Sequence, residues 1–413
     1  MRIKIRKNTL FLIFWIVLLI IQSPLEQLNS AFSYLDEITA LLGIVMIVLH
    51  FQEFSTLDTV YHEKQVIFLL TLYIFIGLLA NIIYNYQPIN IVIQDLFVNV
   101  KFYLSVLFGL LLFNKKIVHK DRAQISSAMR LLSLAFLALF VVDRVTSCFG
   151  ISEVRFGIRS FKLNYYHQTY LAAAFAGLIT LLIIFYEKAN RKFIIIDTIM
   201  MAFTLRSKAF GAAIVLIVLA YIIFIHKGKF KVWQMLLLAF LGLLVGWSQI
   251  SFYFIKLGGQ SARSVMLLTS LKIMREYFPI GTGFSTFASH MAGAHYSPIY
   301  IKYGLQTVYG LSDSTAPFLD DQFWPIIFGQ TGFLGTIVYI GILFIYYRRI
   351  SLLRHLDKYI YCGTLFSYIY LLISSTSEPA FNNSIACLFG IIFGIVFKQY
   401  AVVENQEKYG ISE

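Results

Sequence analysis

Charge is what this chain has least of. Asp, Glu, Lys and Arg make up 13% of its 413 residues, while 59% are hydrophobic. An average soluble domain carries about 25% charged residues. Spread over this length, such a composition can be solvated only by lipid. Cysteine is scarce too. Cys148, Cys362 and Cys387 lie far apart, which excludes a disulfide framework and any thiolate metal spacing. Cys362 and Cys387 stand in apolar runs and read as packed thiols. No small-x-small cleavage site follows the first apolar run, Leu10 to Ile21, although Arg2, Lys4, Arg6 and Lys7 precede it. The run therefore reads as an uncleaved first helix rather than a signal peptide. Internal repeats and low-complexity tracts are absent as well.

Carboxylates are the scarcer sign, with 21 Asp and Glu against 34 Lys and Arg, a net charge of +13. In a soluble protein that excess would suggest nucleic acid. Here the basic residues gather between apolar runs, as cytoplasmic loops require, so nucleic-acid binding is set aside. A spanning helix needs about 20 apolar residues. The runs place spans near 8–23, 34–51, 65–84, 91–113, 125–145, 169–187, 193–205, 209–226, 233–252, 323–346, 359–376 and 382–400. The expected fold is thus an all-α polytopic membrane protein of about twelve transmembrane helices. Residues 1–252 would hold the first nine, 253–322 a large extracytoplasmic loop, and 323–413 the last three and a cytoplasmic tail.

The loops support this layout. With the N-terminus inside, inner segments carry Lys115, Lys116, Lys120 and Arg122, then Lys188, Arg191 and Lys192, then Lys227, Lys229 and Lys231, then Arg348, Arg349, Arg354 and Lys358. Outer segments near 24–33, 85–90 and 377–382 carry no Lys or Arg. Both termini fall inside. Three outer segments break the rule: 146–168 with Arg155, Arg159 and Lys162; the turn Leu205-Arg206-Ser207-Lys208; and 253–322 with Lys256, Arg263, Lys272, Arg275 and Lys302. Either some spans are miscounted or these cations hold an anionic ligand at the outer surface.

The segment 253–322 far exceeds an ordinary connection, and loops of that size are usually functional. Ser261 to Tyr277 has helical spacing, with Val265, Leu268, Leu271 and Met274 on one side. Pro279, Gly281 and Gly283 end it in a turn, and a second short helix is expected around 299–308. The whole is expected to lie over the bundle as a helical cap.

Arg263 to Phe284 joins a helix with Arg in its first turn to Phe-Pro-x-Gly-x-Gly-Phe. This resembles the O-antigen ligase and polymerase (Wzy-like) family of bacterial membrane glycosyltransferases. Asp321 to Gly335 looks like that family's return helix with its Gly-x-x-Gly pattern. Thr204 to Gly211 looks like its Thr-x-Ser-Arg turn, and Asn164 before a small-residue helix fits the segment after the first basic outer loop. The likeness covers residues 155–345 and implies action on sugars linked to undecaprenyl diphosphate, outside the cytoplasm. Arginine suits such a ligand because its planar fork pairs with phosphate oxygens and never loses its charge.

By this resemblance Arg263 is the functional arginine of the large loop. Lys208 stands where the family pattern has Arg, with Arg206 two residues before it, and Arg159 and Arg155 are further diphosphate contacts unless they are ordinary surface charge. Ligases of the family begin the return helix with a His-Asn pair whose His is the expected base. Here the position reads Asp321-Gln322, after Asp320. The missing His favours the repeat-unit polymerase branch and leaves Asp321 as base, as helix N-cap, or as both. His167 and Glu378 are secondary site residues. His290 and His295, five apart with no flanking Cys or carboxylate ligand, make a poor metal pair. With no Asp-x-Asp pair outside, neither a metal nor another cofactor is expected. The aromatics near the outer boundary, among them Tyr165, Tyr166, Tyr296, Tyr300 and Trp324, fit an interfacial belt. Asp95 and Lys101, in the fourth span, are about two turns apart and make no direct pair; charge at that depth suggests function or a span end.

The expected activity is polymerisation of repeat units carried on a polyprenyl diphosphate, toward O-antigen, capsule or exopolysaccharide, at the bacterial cytoplasmic membrane. A flippase and a chain-length regulator are the protein partners it implies. The alternatives are a lipid-linked oligosaccharide flippase and a ligase to another acceptor. The flippase lacks the two similar halves such a transporter would show.

Overall fold

The computed structural model describes residues 6–52, 63–112, 119–149, 153–155, 157–226, 251, 261–313 and 318–409. Among the described residues the fold is all-α apart from one short hairpin. Its helices are α1 Lys7–Ile20, α2 Gln22–Leu28, α3 Leu35–Leu49, α4 Glu63–Tyr84, α5 Ile89–Leu111, α6 His119–Thr146, α7 Gln168–Ile184, α8 Asn190–Ala202, α9 Ser207–Phe224, α10 Ala262–Glu276, α11 His290–Ala294, α12 Pro298–Lys302, α13 Trp324–Leu352, α14 Lys358–Ser374 and α15 Ser384–Tyr409. Between α6 and α7, β1 Val154–Arg155 pairs antiparallel with β2 Ile158–Arg159.

Every expected span overlaps a helix except 233–252, which apart from Ser251 lies outside the described residues. Length limits what this overlap means. Among the described residues six helices are long and apolar enough to cross a membrane, or seven if α1 and α2, bent by 70°, count as one span. Helices α7 and α14 have 17 residues each and α8 has 13. At about 1.5 Å per residue these fall short of a hydrocarbon layer of about 30 Å. The apolar part of α15 is short as well, Ser384–Gln399.

The interior is organised around α5, which is buried from Asn99 to Leu111 except for Leu104 and packs along α3 and α15. Lipid tails are as apolar as leucine, so helices in a membrane associate by close packing, and small residues permit it. Gly390 and Gly394 of α15 face α5 in this way. A Cβ on Gly394 would stand 2.1 Å from the Val106 carbonyl oxygen, and one on Gly109 would stand 2.2 Å from that of Ile391. On the other side of α15, the alanine-rich helix α7 is buried from Leu171 to Ile184 and packs on α8 and α14.

The loop before α13 differs from expectation. Helix α10 forms as the spacing predicts, and α12 with a 3-10 turn at Leu305–Thr307 matches the second short helix. The chain between α10 and α11 does not lie over the bundle, however. Residues 281–289 are all buried within it. Phe284 packs against Tyr73 and Gly77, about two turns before the end of α4.

A buried non-helical segment must have its backbone polar groups satisfied by protein. Here the Asn81 amide accepts from Phe284 N–H at 2.7 Å and donates to its carbonyl at 2.9 Å. The Asp95 carboxylate accepts from Ser285 N–H at 2.7 Å, and Gln330 donates to the Phe287 carbonyl at 3.0 Å. The remaining partners come from a break in α13. Gly332 is non-helical there, with φ +61°. Thr282 and Gly283 N–H donate to the carbonyls of Gly329 and Gln330 at 3.0 and 2.8 Å, and Leu334 N–H donates to the Pro279 carbonyl at 3.0 Å. Two glycines make this crossing possible: a Cβ on Gly332 would stand 2.3 Å from Gly281 N, and one on Gly281 would stand 2.5 Å from Gly332 N.

Gly332→Ala is therefore expected to destabilise the fold by about 2–4 kcal/mol, from positive-φ strain plus backbone overlap. Gly341→Ala on the same helix, where the new methyl meets only Leu69 at 3.4 Å, should leave stability unchanged or slightly raised. Thermal unfolding of both variants in detergent measures the contrast.

Candidate functional site

The turn between α8 and α9 begins with Thr204, whose hydroxyl donates to the Met201 carbonyl at 2.7 Å, and reverses at Leu205, φ +54°. It presents Arg206 and Lys208 at the start of α9. Lys208 Nζ, 8% exposed, pairs with Glu378 from the α14–α15 connection. Arg206 donates to Gln168 Oε1 at the start of α7 and to Glu153 Oε1 at 3.1 Å. Arg263, in the first turn of α10, donates to Asp321 Oδ2 at 3.2 Å. These three cations share one neighbourhood, for the charges of Arg206 and Arg263 both act on Lys208.

Carboxylates complete the cluster. The Tyr170 hydroxyl, on a side chain about two-fifths exposed in the first turn of α7, feels Glu378, Asp320, Glu26 and Asp321. Burial raises the Asp321 carboxyl above its usual range, with Arg263 pulling the other way and Asp320 and Glu378 adding to the rise. Arg206 and Arg155 hold Glu153 below its ordinary value against the opposite effect of burial. His167 closes the group. Its ring caps α7 by accepting from Thr169 N–H at 3.3 Å. Burial first, then the charges of Arg206 and Lys208, push its imidazole down to about 4, so it is neutral at pH 7.

The structure thus brings together Arg206, Lys208, Arg263, Asp321, Glu378 and His167. It does not bring in Arg159, whose guanidinium donates to the carbonyl and carboxylate of Asp143 at the end of α6. Arg155 reaches the cluster only through Glu153, at 3.0 Å. Asp321 does not cap α13. The N-cap position is Phe323, with no side-chain cap bond, and the carboxylate turns to Arg263 instead. Sequence reasoning missed Gln168, Glu153 and Tyr170, which carry no motif and are recruited by packing alone. It also treated Asp95 and Lys101 as a question of depth. Asp95 is buried and holds Ser285, while Lys101 is buried against Asp36 and Glu37 of α3. Among the described residues, no three His, Cys, Asp or Glu side chains stand close enough to hold a metal ion.

The cations are matched charge for charge: Arg206 by Glu153, Lys208 by Glu378, Arg263 by Asp321. Such pairing keeps buried charge from being left alone, which is costly.

Two consequences are measurable. Lys208→Met leaves the Glu378 carboxylate without its partner and should cost about 3–5 kcal/mol, whereas Lys208→Met with Glu378→Met should recover most of that loss; thermal melts of single and double variants compare them. His167 gives a pH signature. Its folded value of about 4 lies below the unfolded value of 6.5, so the unfolded chain takes up the proton first. Stability should be full above pH 6.5 and decline as pH falls toward 4, and His167→Gln should flatten that decline in melts taken across this window.

No protein-family model matches this chain, and no curated protein matches it.

Proposed function

We propose that the chain is a membrane glycosyltransferase that polymerises oligosaccharide repeat units carried on a polyprenyl diphosphate. The observation that carries this reading is the meeting of Arg206, Lys208 and Arg263, from two distant stretches of an otherwise charge-poor chain, at one end of the bundle. In the proposed topology there are about twelve spans, with both termini in the cytoplasm. That end then faces outward across the bacterial cytoplasmic membrane, where a lipid-linked diphosphate would present its phosphates at the same depth.

In the reaction, a hydroxyl of one lipid-linked unit attacks the anomeric carbon of another glycan. The bond from that carbon to the diphosphate oxygen breaks, and its electron pair leaves on the diphosphate. Fixed cations aimed at this developing charge lower the barrier. Arg263 supplies a fork that cannot deprotonate, and Lys208 and Arg206 add charge from the α9 side. Asp321 holds Arg263 in place until the diphosphate arrives. The Tyr170 ring and the carboxylates that act on it suit sugar ring faces and hydroxyls.

Deleting the gene tests the reading. Gels of lipid-linked glycan should show single repeat units displayed outside but no ladder of longer chains; a strain that displays none would point to a flippase instead. Restoring the gene with Arg263→Ala should lower polymer output about 10²–10³-fold, the usual cost of removing one transition-state charge donor, and Arg263→Lys should recover only part of it. Polymer of normal length and amount from the Arg263→Ala strain would remove that residue from the mechanism.

A further inference from the structure

We propose that His290 is the general base of this transfer and that Asp320 orients it. The inference rests on the glycosyl-transfer reading and adds the proton's destination, which that reading leaves unassigned.

Three observations carry it. First, the carboxylate that sequence position offered as base, Asp321, has its Oδ2 on Arg263, which gives it the separate task of positioning that guanidinium. Second, the neighbouring carboxylate is directed at an imidazole. Asp320 Oδ2 lies 3.4 Å from His290 Nδ1. A carboxylate on Nδ1 selects the tautomer that carries its proton there and leaves Nε2 as the lone-pair nitrogen. The contact is long, as such bonds commonly are before substrate closes the site. Third, the pair adjoins the cation cluster, since Asp320 is next in the chain to Asp321, the partner of Arg263. Asp320 acts on Tyr170, and Tyr170 also feels Asp321, the partner of Arg263, and Glu378, the partner of Lys208.

The backbone that presents His290 is held firmly. The residues before it, 281–289, are the buried segment clamped by Asn81, Asp95 and Gln330, and Ser289 caps α11 through Ala292 N–H. The imidazole itself is 72% exposed, as a group must be if an incoming acceptor is to reach it. In the step, Nε2 takes the proton of the acceptor hydroxyl as its oxygen bonds to the anomeric carbon, and the electron pair of the broken bond leaves on the diphosphate. The resulting imidazolium is stabilised by the Asp320 carboxylate. The hydrogen bond that Nδ1 donates to Asp320 already raises the imidazole above its ordinary 6.5, which brings it toward the pH at which a base is most effective.

The test uses the full-length protein in lipid nanodiscs, supplied with polyprenyl-diphosphate repeat units extracted from the deletion strain. The wild type should form polymer, with activity rising as pH increases through the His290 titration, because only the neutral ring accepts a proton. His290→Gln should lower kcat by about 10²–10⁴-fold while leaving KM for the lipid-linked unit roughly unchanged. Asp320→Asn should keep more activity but move the acid limb of the pH profile to lower pH, a shift that a merely structural role would not produce. A monodisperse size-exclusion peak confirms that each variant is folded. If His290→Gln turns over near the wild-type rate, or if Asp320→Asn leaves the acid limb in place, His290 is not the base and the glycosyl-transfer reading stands without it. If the wild type makes no polymer from these units at any pH, the reading and the inference fail together.

Discussion

The clamp between the buried turn and the break in α13 is the constraint on which the rest of the structure depends. Inside an apolar bundle every backbone N–H and C=O that leaves a helix must find a protein partner. The turn after α10 and the interruption at Gly332 solve this problem for each other. Gly329 and Gln330 accept from the turn, and the Pro279 carbonyl accepts from Leu334, where α13 resumes. Asn81 and Asp95 take the groups that α13 does not reach. This joint holds α10, and with it Arg263, against the same helix whose approach carries Asp320 and Asp321.

That coupling gives the charge cluster its geometry. Arg263 and Asp321 are separated by a long stretch of chain yet meet at 3.2 Å, because α10 packs against α13. On the facing side, the tight reversal at Leu205 raises Arg206 and Lys208 from the start of α9, and Glu378 holds Lys208 from the α14–α15 connection. Each cation is thus held in position by a carboxylate from another part of the chain. Buried ion pairs contribute little net stability; their value here is the fixed position of positive charge.

Much of the fold was legible because apolar runs and loop charge are local signals. Where a run matched or exceeded the bilayer thickness, as in α4 and α5, the expected helix is there at full length. The shorter runs at α7 and α14 were read as full spans because hydropathy reports what a segment avoids, not how far it reaches, whereas the run at α8 is short in the sequence itself and suits a tilted helix or a hairpin with α9. The cap loop was misjudged for a related reason. Phe-Pro-x-Gly-x-Gly-Phe announces a turn, but nothing local says whether that turn is covered by water or by Asn81, Asp95 and Gln330. The candidate site was legible where a cation stood against the expected charge pattern, at Arg206, Lys208 and Arg263. It was not legible at Arg159, whose partner Asp143 is supplied by the end of α6, nor at His290, whose partner Asp320 lies across the loop.

By itself the sequence determined that the chain is helical and suited to lipid, in which stretches the described long helices lie, and which cations are out of place. Tertiary structure alone decided that 281–289 enters the bundle, which cations share a neighbourhood, and which carboxylate each one meets. The division follows from range. Hydrophobicity and helical period act over a few residues, whereas an ion pair or a backbone clamp needs groups far apart in the chain, and only packing selects among the partners available.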